Sequence, residues 1–282
     1  MSSETTKESG VTGESVDLDL AQRLADISDV ITLDRYLAHD LVVETKPDAT
    51  PVTDADRAVE KVIRETLAKE RPRDQIIGEE FGGLDLLKNA KLGSRFWIID
   101  PIDGTKNFLR GVPTWATLLA LAEITSSGPK VIVGIVSSPA LGRRWFARAS
   151  GHAFVTESFS GRNRTRQIQV SKVASFDDAS LSYSDLNGWK ERKGAFVSLF
   201  DSLWRTRAVG DFFSHMLVAE GAVDIAAEPT LALWDMAAVA LIVTEAGGRF
   251  TSLDGEEGPF GASGVSSNGL LHEKFLHSIK VA

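Results

Sequence analysis

The chain has 282 residues, 43% of them hydrophobic, and its formal net charge is -8 at pH 7. That length and apolar content suffice for a large buried core, which excludes a disordered protein, and the negative charge argues against a general surface for nucleic acid or anionic lipid. Cysteine is absent, which excludes disulfides and thiolate metal sites. The sequence has no apolar signal core and no run of about 18 apolar residues, so we expect a soluble cytoplasmic protein.

The N-terminal part predicts two helices. Residues 1–15 are rich in Ser, Thr, Glu and Gly and are expected to form a disordered tail. Apolar residues at helical spacing from Val16 to about Val43 predict a long amphipathic helix. Residues 44–52 contain two prolines and are predicted to be an extended loop. A second helix starts after Thr53, with Asp56 in its first turn, where the helix dipole alone could account for a carboxylate.

A short strand is predicted next, and it leads to two adjacent acids. Residues 75–78 are followed by Glu79 and Glu80, in a loop flanked by glycines. Surface glutamates are common, but two directly after an apolar strand are less so. The polar residues 84–95 are predicted to be a mobile flap over whatever these glutamates hold.

The following strand ends on a carboxylate. Residues 96–99 are apolar and run into Asp100, and the proline at 101 stops the strand because it has no amide hydrogen to give to a sheet. Asp103 follows, then Gly104, which permits a sharp turn, and Thr105, whose hydroxyl can orient a water. Asp-Pro and Asp-Gly are also ordinary turn residues, so this loop alone decides nothing.

The rest of the chain divides into two patterns. Strands at 114–124, 130–137, 144–149 and 152–156 are joined by short links, which predicts a largely antiparallel sheet covered by the two helices in an N-terminal α+β lobe, 16–160. Residues 157–169 are polar and basic and are expected to be an exposed connection. The C-terminal lobe, 161–282, alternates strands (179–184, 206–209, 224–227) with helices (190–203 and those that begin near 211 and 234), which is an α/β pattern.

Acids thus stand at the ends of apolar elements far apart in the sequence: Glu79, Asp100, Asp103 and Asp235. Carboxylate ligands without accompanying His or Cys favour Mg²⁺ or Mn²⁺ over zinc. The five histidines lack metal-binding spacing and are expected to be core or surface residues. Magnesium held by few carboxylates commonly completes its shell with substrate phosphate, so we expect metal-assisted hydrolysis of a phosphate ester.

Three motifs in this order resemble the inositol monophosphatase superfamily of magnesium-dependent phosphatases. They are Gly-Glu-Glu at 78–80, Trp-Ile-Ile-Asp-Pro-Ile-Asp-Gly-Thr-Lys-Asn-Phe at 97–108, and Trp-Asp-Met-Ala-Ala at 234–238 with Glu-Ala-Gly-Gly at 245–248. The resemblance runs from Lys46 to Asn268. It implies a layered αβαβα sandwich with an antiparallel-sheet lobe packed on an α/β lobe, two or three Mg²⁺ ions, and a homodimer.

The resemblance also implies a role for each matching residue. The metals would be held by carboxylates and one backbone carbonyl: Glu79, Asp100, Ile102 (carbonyl), Asp103 and Asp235. Thr105, hydrogen-bonded to Asp56, would act with Glu79 to activate a water for in-line attack on phosphorus. The amides of Gly104 and Thr105 would bind the phosphate oxygens.

The substrate is expected to be a small phosphate ester, and the second lobe narrows its class. By resemblance, Glu228 contacts the alcohol part of the substrate and Asp211 lies on another wall of that pocket, although Asp211 alone could be a helix N-cap. Two carboxylates favour a cationic leaving group. Residues 108–115, 210–213 and 218–229 also resemble the histidinol-phosphate phosphatase branch, which acts in histidine biosynthesis. Inositol-1-phosphate or another sugar or nucleotide phosphate is the alternative substrate, and a non-catalytic metal-dependent regulatory protein is the alternative class.

Overall fold

The computed structural model describes residues 13–47 and 49–280. Its α-helices are α1 (Gly13–Arg35), α2 (Asp54–Glu70), α3 (Thr105–Leu109), α4 (Lys193–Ser198), α5 (Asp211–Ala219), α6 (Leu233–Glu245) and α7 (His272–Ser278). Its strands are β1 (Val43–Thr45), β2 (Pro51–Thr53), β3 (Gln75–Gly78), β4 (Arg95–Asp103), β5 (Ala116–Thr125), β6 (Gly128–Ser138), β7 (Arg143–Arg148), β8 (Ala153–Phe159), β9 (Arg162–Ile168), β10 (Ser180–Ser182), β11 (Arg205–Arg207), β12 (Ile225–Glu228), β13 (Arg249–Thr251) and β14 (Gly264–Ser267).

The larger sheet has the strand order β3-β4-β5-β6-β7-β8-β9. The pair β3 and β4 is parallel and the other pairs are antiparallel, which confirms the predicted largely antiparallel sheet. Alternate residues of β4 face opposite sides of this sheet. Trp97 and Ile99 pack with Leu20 of α1 and Ile63 of α2. The intervening side chains of β4, such as Ile98, therefore face the second helical layer.

That second helical layer consists of α5 and α6. Phe212 and Met216 of α5 and Met236 of α6 pack in one cluster with Ile98 and Leu118 of the larger sheet. On its other side this layer contacts the smaller sheet, whose strand order is β11-β10-β12-β14-β13. The helices α5 and α6 are thus covered by sheet on both sides, which explains the nearly continuous apolar character of α6.

The smaller sheet is covered on its far face by α4 and α7. Phe196 of α4 and Phe275 of α7 pack on Leu181 of β10 and Val265 of β14. β10 is parallel to both β11 and β12, whereas β14 is antiparallel to β12 and β13. The order of layers is therefore α1/α2, larger sheet, α5/α6, smaller sheet, α4/α7, which is the predicted αβαβα sandwich.

The structure corrects several predicted segments. The first helix ends at Arg35, not near Val43, because Leu37 adopts a left-handed φ of 64° that stops the helix. It also begins at Gly13, so part of the predicted tail is helical; residues 1–12 of that tail lie outside the described residues. Both ends of the predicted loop 44–52 pair in the antiparallel strands β1 and β2, and Pro51 opens an edge strand, where proline is tolerated.

The segment 157–169 was wrongly predicted as an exposed connection. It completes β8 and forms β9, which pair in register from Ala153 with Ile168 to Phe159 with Arg162. The residues are polar because β9 is an edge strand with most of its side chains in water. The larger sheet therefore continues to Ile168, beyond position 160, where we divided the lobes.

The predicted flap, residues 84–95, contains a short 3₁₀ helix, Leu84–Asn89, without buried side chains. The mobility of these residues stays a prediction.

Among the described residues, none of the helices combines the length and the apolar character needed to cross a bilayer.

Candidate active site

Three carboxylates from two elements meet between the larger sheet and α6. Asp100 and Asp103 lie on β4, and Asp235 lies in the first turn of α6. Each can offer an oxygen within 4.8 Å of those of the other two. Positions three apart on a regular strand face opposite sides, but the register of β4 against β5 shifts between Asp100 and Asp103. This irregularity, at Pro101, lets both side chains serve one site.

Backbone amides fix the orientation of this carboxylate cluster. The amide of Ile102 donates to Oδ1 of Asp100 at 3.0 Å, and the amide of Phe212, at the start of α5, donates to Oδ2 of Asp103 at 2.7 Å. The amide of Ala232 donates to Oδ2 of Asp235 at 2.7 Å, at the start of α6. Amide donors at helix starts hold the carboxylates without neutralising them.

Burial raises the pKa of all three acids. The pKa of Asp100 lies well above its ordinary value because of burial and then the charges of Glu79 and Asp103. Burial likewise raises the pKa of Asp103 well above its ordinary value and that of Asp235 to about 7. Converging, buried carboxylates repel one another unless a cation lies between them. Their hard oxygen atoms are ligands suited to Mg²⁺ or Mn²⁺, so this donor set fits the expected metal.

Glu79 approaches this cluster from the loop after β3. Its Oε1 accepts a hydrogen bond from Nζ of Lys46 at 2.7 Å, and the same ammonium contacts Oε1 of Glu80 at 2.5 Å. The buried Glu60 of α2 holds the loop by accepting the amides of Glu80 at 2.8 Å and Phe81 at 3.2 Å. Glu79 therefore has a fixed backbone and lies within the electrostatic reach of Asp100 and Asp235.

The turn between β4 and α3 requires glycine. Gly104 has a φ of 82°, and a Cβ there would lie 2.9 Å from the carbonyl oxygen of Thr114. Thr105 then begins α3, so its amide is one of the donors that have no carbonyl partner within the helix. Its Oγ1 donates to the carbonyl of Ile102 at 3.0 Å.

The hydrogen bonds of Asp56 differ from the expectation that it would bond to Thr105. Its Oδ2 accepts hydrogen bonds from the amide of Thr53 at 2.8 Å and from the Thr53 hydroxyl at 2.5 Å, in a capping box that starts α2. Thr105 bonds instead to Ile102, three residues away in its own turn. Oδ1 of Asp56 is buried and has no hydrogen-bond partner among residues 13–47 and 49–280. Burial raises the pKa of Asp56 to about 7.

The two residues assigned to the alcohol part of the substrate lie beside the carboxylate cluster. Both line the same cavity of about 610 Å³ as Glu79, Thr105 and Asp235. Asp211 is the first residue of α5, not its N-cap, and its Oδ2 accepts from Nδ2 of Asn107 at 3.0 Å. Glu228 is the last residue of β12, where burial raises its pKa to about 8.

Sequence reasoning missed several residues of this site. Lys46 and Glu60 lie far from the glutamate loop in sequence, and an isolated Lys or Glu gives no signal of such a pairing. Asn107 is part of the central motif and could have been singled out for that reason. His215, which we expected to be a core or surface residue, is buried but also lines the cavity.

Comparisons with known proteins agree with this geometry. The sequence model of the inositol monophosphatase family matches residues 17–281. The chain belongs to the inositol monophosphatase family. Members of this family are generally metal-dependent, and the cluster of Asp100, Asp103 and Asp235 is the group that could hold such a metal.

Two relatives within the inositol monophosphatase family share more than half of their residues with this chain. The histidinol-phosphatase of Streptomyces coelicolor is 54% identical over 262 residues, which cover 92% of this chain and 95% of the relative. That of Mycobacterium tuberculosis is also 54% identical, over 92% of this chain and 96% of the relative. A solved inositol monophosphatase (IMPase) structure from Thermotoga maritima, 28% identical, superposes with a TM-score of 0.78 and covers 94% of this chain and 96% of that one. The protein is therefore a phosphatase with the fold of this family.

Proposed function

We propose that the protein hydrolyses L-histidinol phosphate to L-histidinol and phosphate, in a reaction that depends on Mg²⁺. The observation that carries this proposal is a single cavity lined by two neighbouring sets of acids. Asp103 and Asp235 of the carboxylate cluster line it, and so do Asp211 and Glu228, whose side of the cavity we call the leaving-group end. The carboxylate cluster suits metals and a phosphate, and the leaving-group end suits a cationic leaving group.

The metal-binding end would hold two or three Mg²⁺ ions through Glu79, the carboxylate cluster and the carbonyl of Ile102. When bound, such ions lower the pKa of water and neutralise charge on the entering and leaving oxygens. Mn²⁺ is also compatible with these oxygen ligands. Glu79 is already fixed by Lys46 and by the loop, so it can accept a proton without reorganisation of the backbone.

Water activation is assigned to Thr105, Glu79 and Asp56. The hydroxyl proton of Thr105 is committed to the Ile102 carbonyl, so its oxygen can accept a hydrogen bond from the attacking water and orient it. Asp56 holds Thr53 and the start of α2, and its buried Oδ1 offers one more acceptor. The amides of Gly104 and Thr105 would bind the phosphate oxygens, because the first amides of α3 have no partners within the helix.

The leaving-group end favours L-histidinol over a neutral sugar. Its ammonium and imidazole can form charged hydrogen bonds with the ionised carboxylates of Asp211 and Glu228, which the neutral hydroxyl groups of a sugar cannot match. Asp211 and Glu228 are largely buried, so a substrate cation that reaches them gains more than it would at the surface. Both relatives that share 54% identity are histidinol-phosphatases, which agrees with this choice.

A profile of phosphate release tests the proposal. The purified protein would be assayed with histidinol phosphate, inositol-1-phosphate and 3′-phosphoadenosine 5′-phosphate, with and without Mg²⁺. We expect the highest kcat/KM with histidinol phosphate and no turnover after metal removal. A preference for another ester would reassign the substrate, and the absence of hydrolysis with all three would favour a metal-dependent binding protein.

Three attributes complete the proposal: action in histidine biosynthesis, a cytoplasmic location and a homodimer. The first two follow from the proposed substrate, which is a biosynthetic intermediate. Exposed apolar side chains on α1, such as Val30 at 71% and Leu33 at 47%, support a dimer because large apolar side chains on a surface commonly mark an interface. Light scattering at micromolar concentration distinguishes a dimer from a monomer.

A further inference from the structure

Two buried polar atoms face each other at the leaving-group end without hydrogen-bond partners. Nε2 of His215 and Oε1 of Glu228 are 3.8 Å apart, and neither has a partner in the described part of the chain. Both side chains are almost fully buried, with 3% and 7% of their surface exposed. Buried polar atoms nearly always have partners, so two facing orphans at a cavity wall point to a ligand group.

The His215 ring is fixed in orientation by its surroundings. Its Nδ1 lies 2.7 Å from Oγ of Ser266 on β14, and the ring packs at 5.9 Å from that of Phe250. Burial lowers the pKa of His215 to about 4, so the ring is neutral at physiological pH. When Nδ1 donates its proton to Ser266, Nε2 is an acceptor.

Glu228 is held from its other side. Its carboxylate interacts with the hydroxyl of Ser184 and the amide of Asp211, which leaves Oε1 directed at His215 without a donor. Two acceptors at 3.8 Å can both lie within about 2.9 Å of one donor nitrogen. A group with several N–H donors and a positive charge satisfies both, because its charge favours the ionised form of Glu228 and its N–H groups bond to that carboxylate and to the neutral ring.

We propose that His215 is a specificity-determining residue, whose Nε2 acts with Oε1 of Glu228 as a paired acceptor for one cationic N–H group of the leaving alcohol. Ser266 is its positioning residue, because its hydroxyl holds Nδ1 and with it the orientation of the ring. This inference rests on the proposed function, since it assumes that the leaving alcohol carries a cation. It adds His215 to the two carboxylates, Asp211 and Glu228, that we assigned to substrate binding.

The test compares His215→Leu and His215→Gln with the unmodified protein on histidinol phosphate and on p-nitrophenyl phosphate. We expect His215→Leu to lower the ratio of the two kcat/KM values at least tenfold, mainly through KM, as expected for a lost hydrogen bond to a charged group. His215→Gln keeps a side-chain acceptor and should recover part of that ratio. Ser266→Ala, which removes the hydrogen bond at Nδ1, should lower the ratio by less.

His272 supplies the matched control. It is also buried, but both ring nitrogens are bonded, Nε2 with Thr251 at 2.9 Å and Nδ1 with Ser267 at 2.8 Å. His272→Leu should lower the melting temperature and leave the ratio of kcat/KM values as it was. An unchanged ratio in His215→Leu, or an equal change in His272→Leu, overturns the inference.

A measurement on the unmodified protein covers the case in which His215→Leu does not fold. The ¹⁵N spectrum of histidine-labelled protein should show His215 neutral, with Nε2 unprotonated, and the addition of L-histidinol should shift that nitrogen. A protonated Nε2, or no shift at saturating histidinol, contradicts the inference. If the unmodified protein does not hydrolyse histidinol phosphate at all, the proposed function fails, which is a separate result.

Discussion

Two groups of partly or fully buried acids in this protein have opposite electrostatic surroundings. Glu157 and Glu220 lie between Arg143 and Arg166, with Arg143 2.6 Å from Glu157 and 2.7 Å from Glu220. We call these four residues the arginine network. The carboxylate cluster forms no ion pair with a Lys or Arg of the described residues. The pKa of Glu157 is lowered by Arg166 and Arg143, whereas burial raises that of Asp235 to about 7.

We interpret this difference as a distinction between acids with a structural role and acids with the proposed metal-binding role. The arginine network joins β7, β8 and β9 to the end of α5, and Trp145 also donates to Glu220 at 2.7 Å. Its charges are balanced within the chain, so it needs nothing from outside. The carboxylate cluster has amide donors but no balancing cation among residues 13–47 and 49–280, so a metal or protons would compensate its charge. The predictions below test this distinction.

The largest effect is expected from Asp100→Asn. The change removes the charge of a proposed metal ligand, and we expect kcat/KM with histidinol phosphate and Mg²⁺ to fall on the order of 10³-fold, a loss of about 4 kcal/mol in transition-state stabilisation. Circular dichroism should show an intact fold. In the arginine network, Glu157→Gln is the control and should keep its activity. Near-normal turnover of Asp100→Asn would refute the ligand role.

The second prediction concerns the stability of the metal-free protein. Asp235→Asn removes a buried charge but keeps an oxygen to accept the Ala232 amide. At pH 8 with a chelator, we expect the free energy of unfolding to rise by roughly 2–4 kcal/mol, because the change removes the cost of ionising Asp235 in the fold. Glu220→Gln should instead lower it by about 1–3 kcal/mol, through the lost bonds to arginine. Urea unfolding measures the free energy of unfolding of both variants. If Asp235→Asn and Glu220→Gln both destabilise the protein, the distinction between the carboxylate cluster and the arginine network is wrong.

The third prediction is a pH dependence of the metal-free protein. Asp56 and Asp235, with pKa values of about 7, and Glu228, at about 8, hold protons in the fold that the unfolded chain releases near pH 4. The folded state therefore binds more protons, so stability falls as pH rises. From pH 6.5 to pH 8 we expect a net loss of about 2 kcal/mol, which Mg²⁺ should reduce because Asp235 is one of its proposed ligands, whereas Asp56 and Glu228 are not.

Above pH 6.5 the acids determine the sign, because the two buried histidines together oppose them there by less than about 1 kcal/mol. The pKa values of His215 and His272 are lowered to about 4, so their contribution is present above about pH 6.5 and is lost as pH falls towards 4. Thermal unfolding with a chelator at several pH values provides the measurement. A stability that rises with pH over this range would show that the acids are balanced within the chain.

The smallest effect is expected at the leaving-group end. Asp211→Ala and Glu228→Ala should each raise KM for histidinol phosphate about tenfold more than for p-nitrophenyl phosphate, because each removes one charge that faces the cation. Steady-state kinetics with both substrates gives this comparison. Equal losses on both substrates would mean that these carboxylates stabilise the site without selecting the leaving group.

The sequence predicted the fold class because its main signals are local. The helical spacing of Leu20 and Leu24 and the apolar run that ends at Asp100 show directly which faces are buried. The strand β9 was missed because an edge strand with arginines in water lacks the apolar alternation that marks buried strands. The end of α1 was missed because the backbone reversal at Leu37 has no glycine to indicate it.

The sequence by itself determined which residues have carboxylate oxygens that could bind a metal, and that these residues follow apolar segments. Both statements rest on residue type and apolar patterning, which can be read directly along the chain. Only the tertiary structure decided what compensates each charge. It brings Lys46 to Glu79, joins Thr53 to Asp56, and leaves Nε2 of His215 facing Glu228. The physical reason is that electrostatic and hydrogen-bond partners are set by distances of a few ångströms between residues far apart in sequence, which no local pattern encodes.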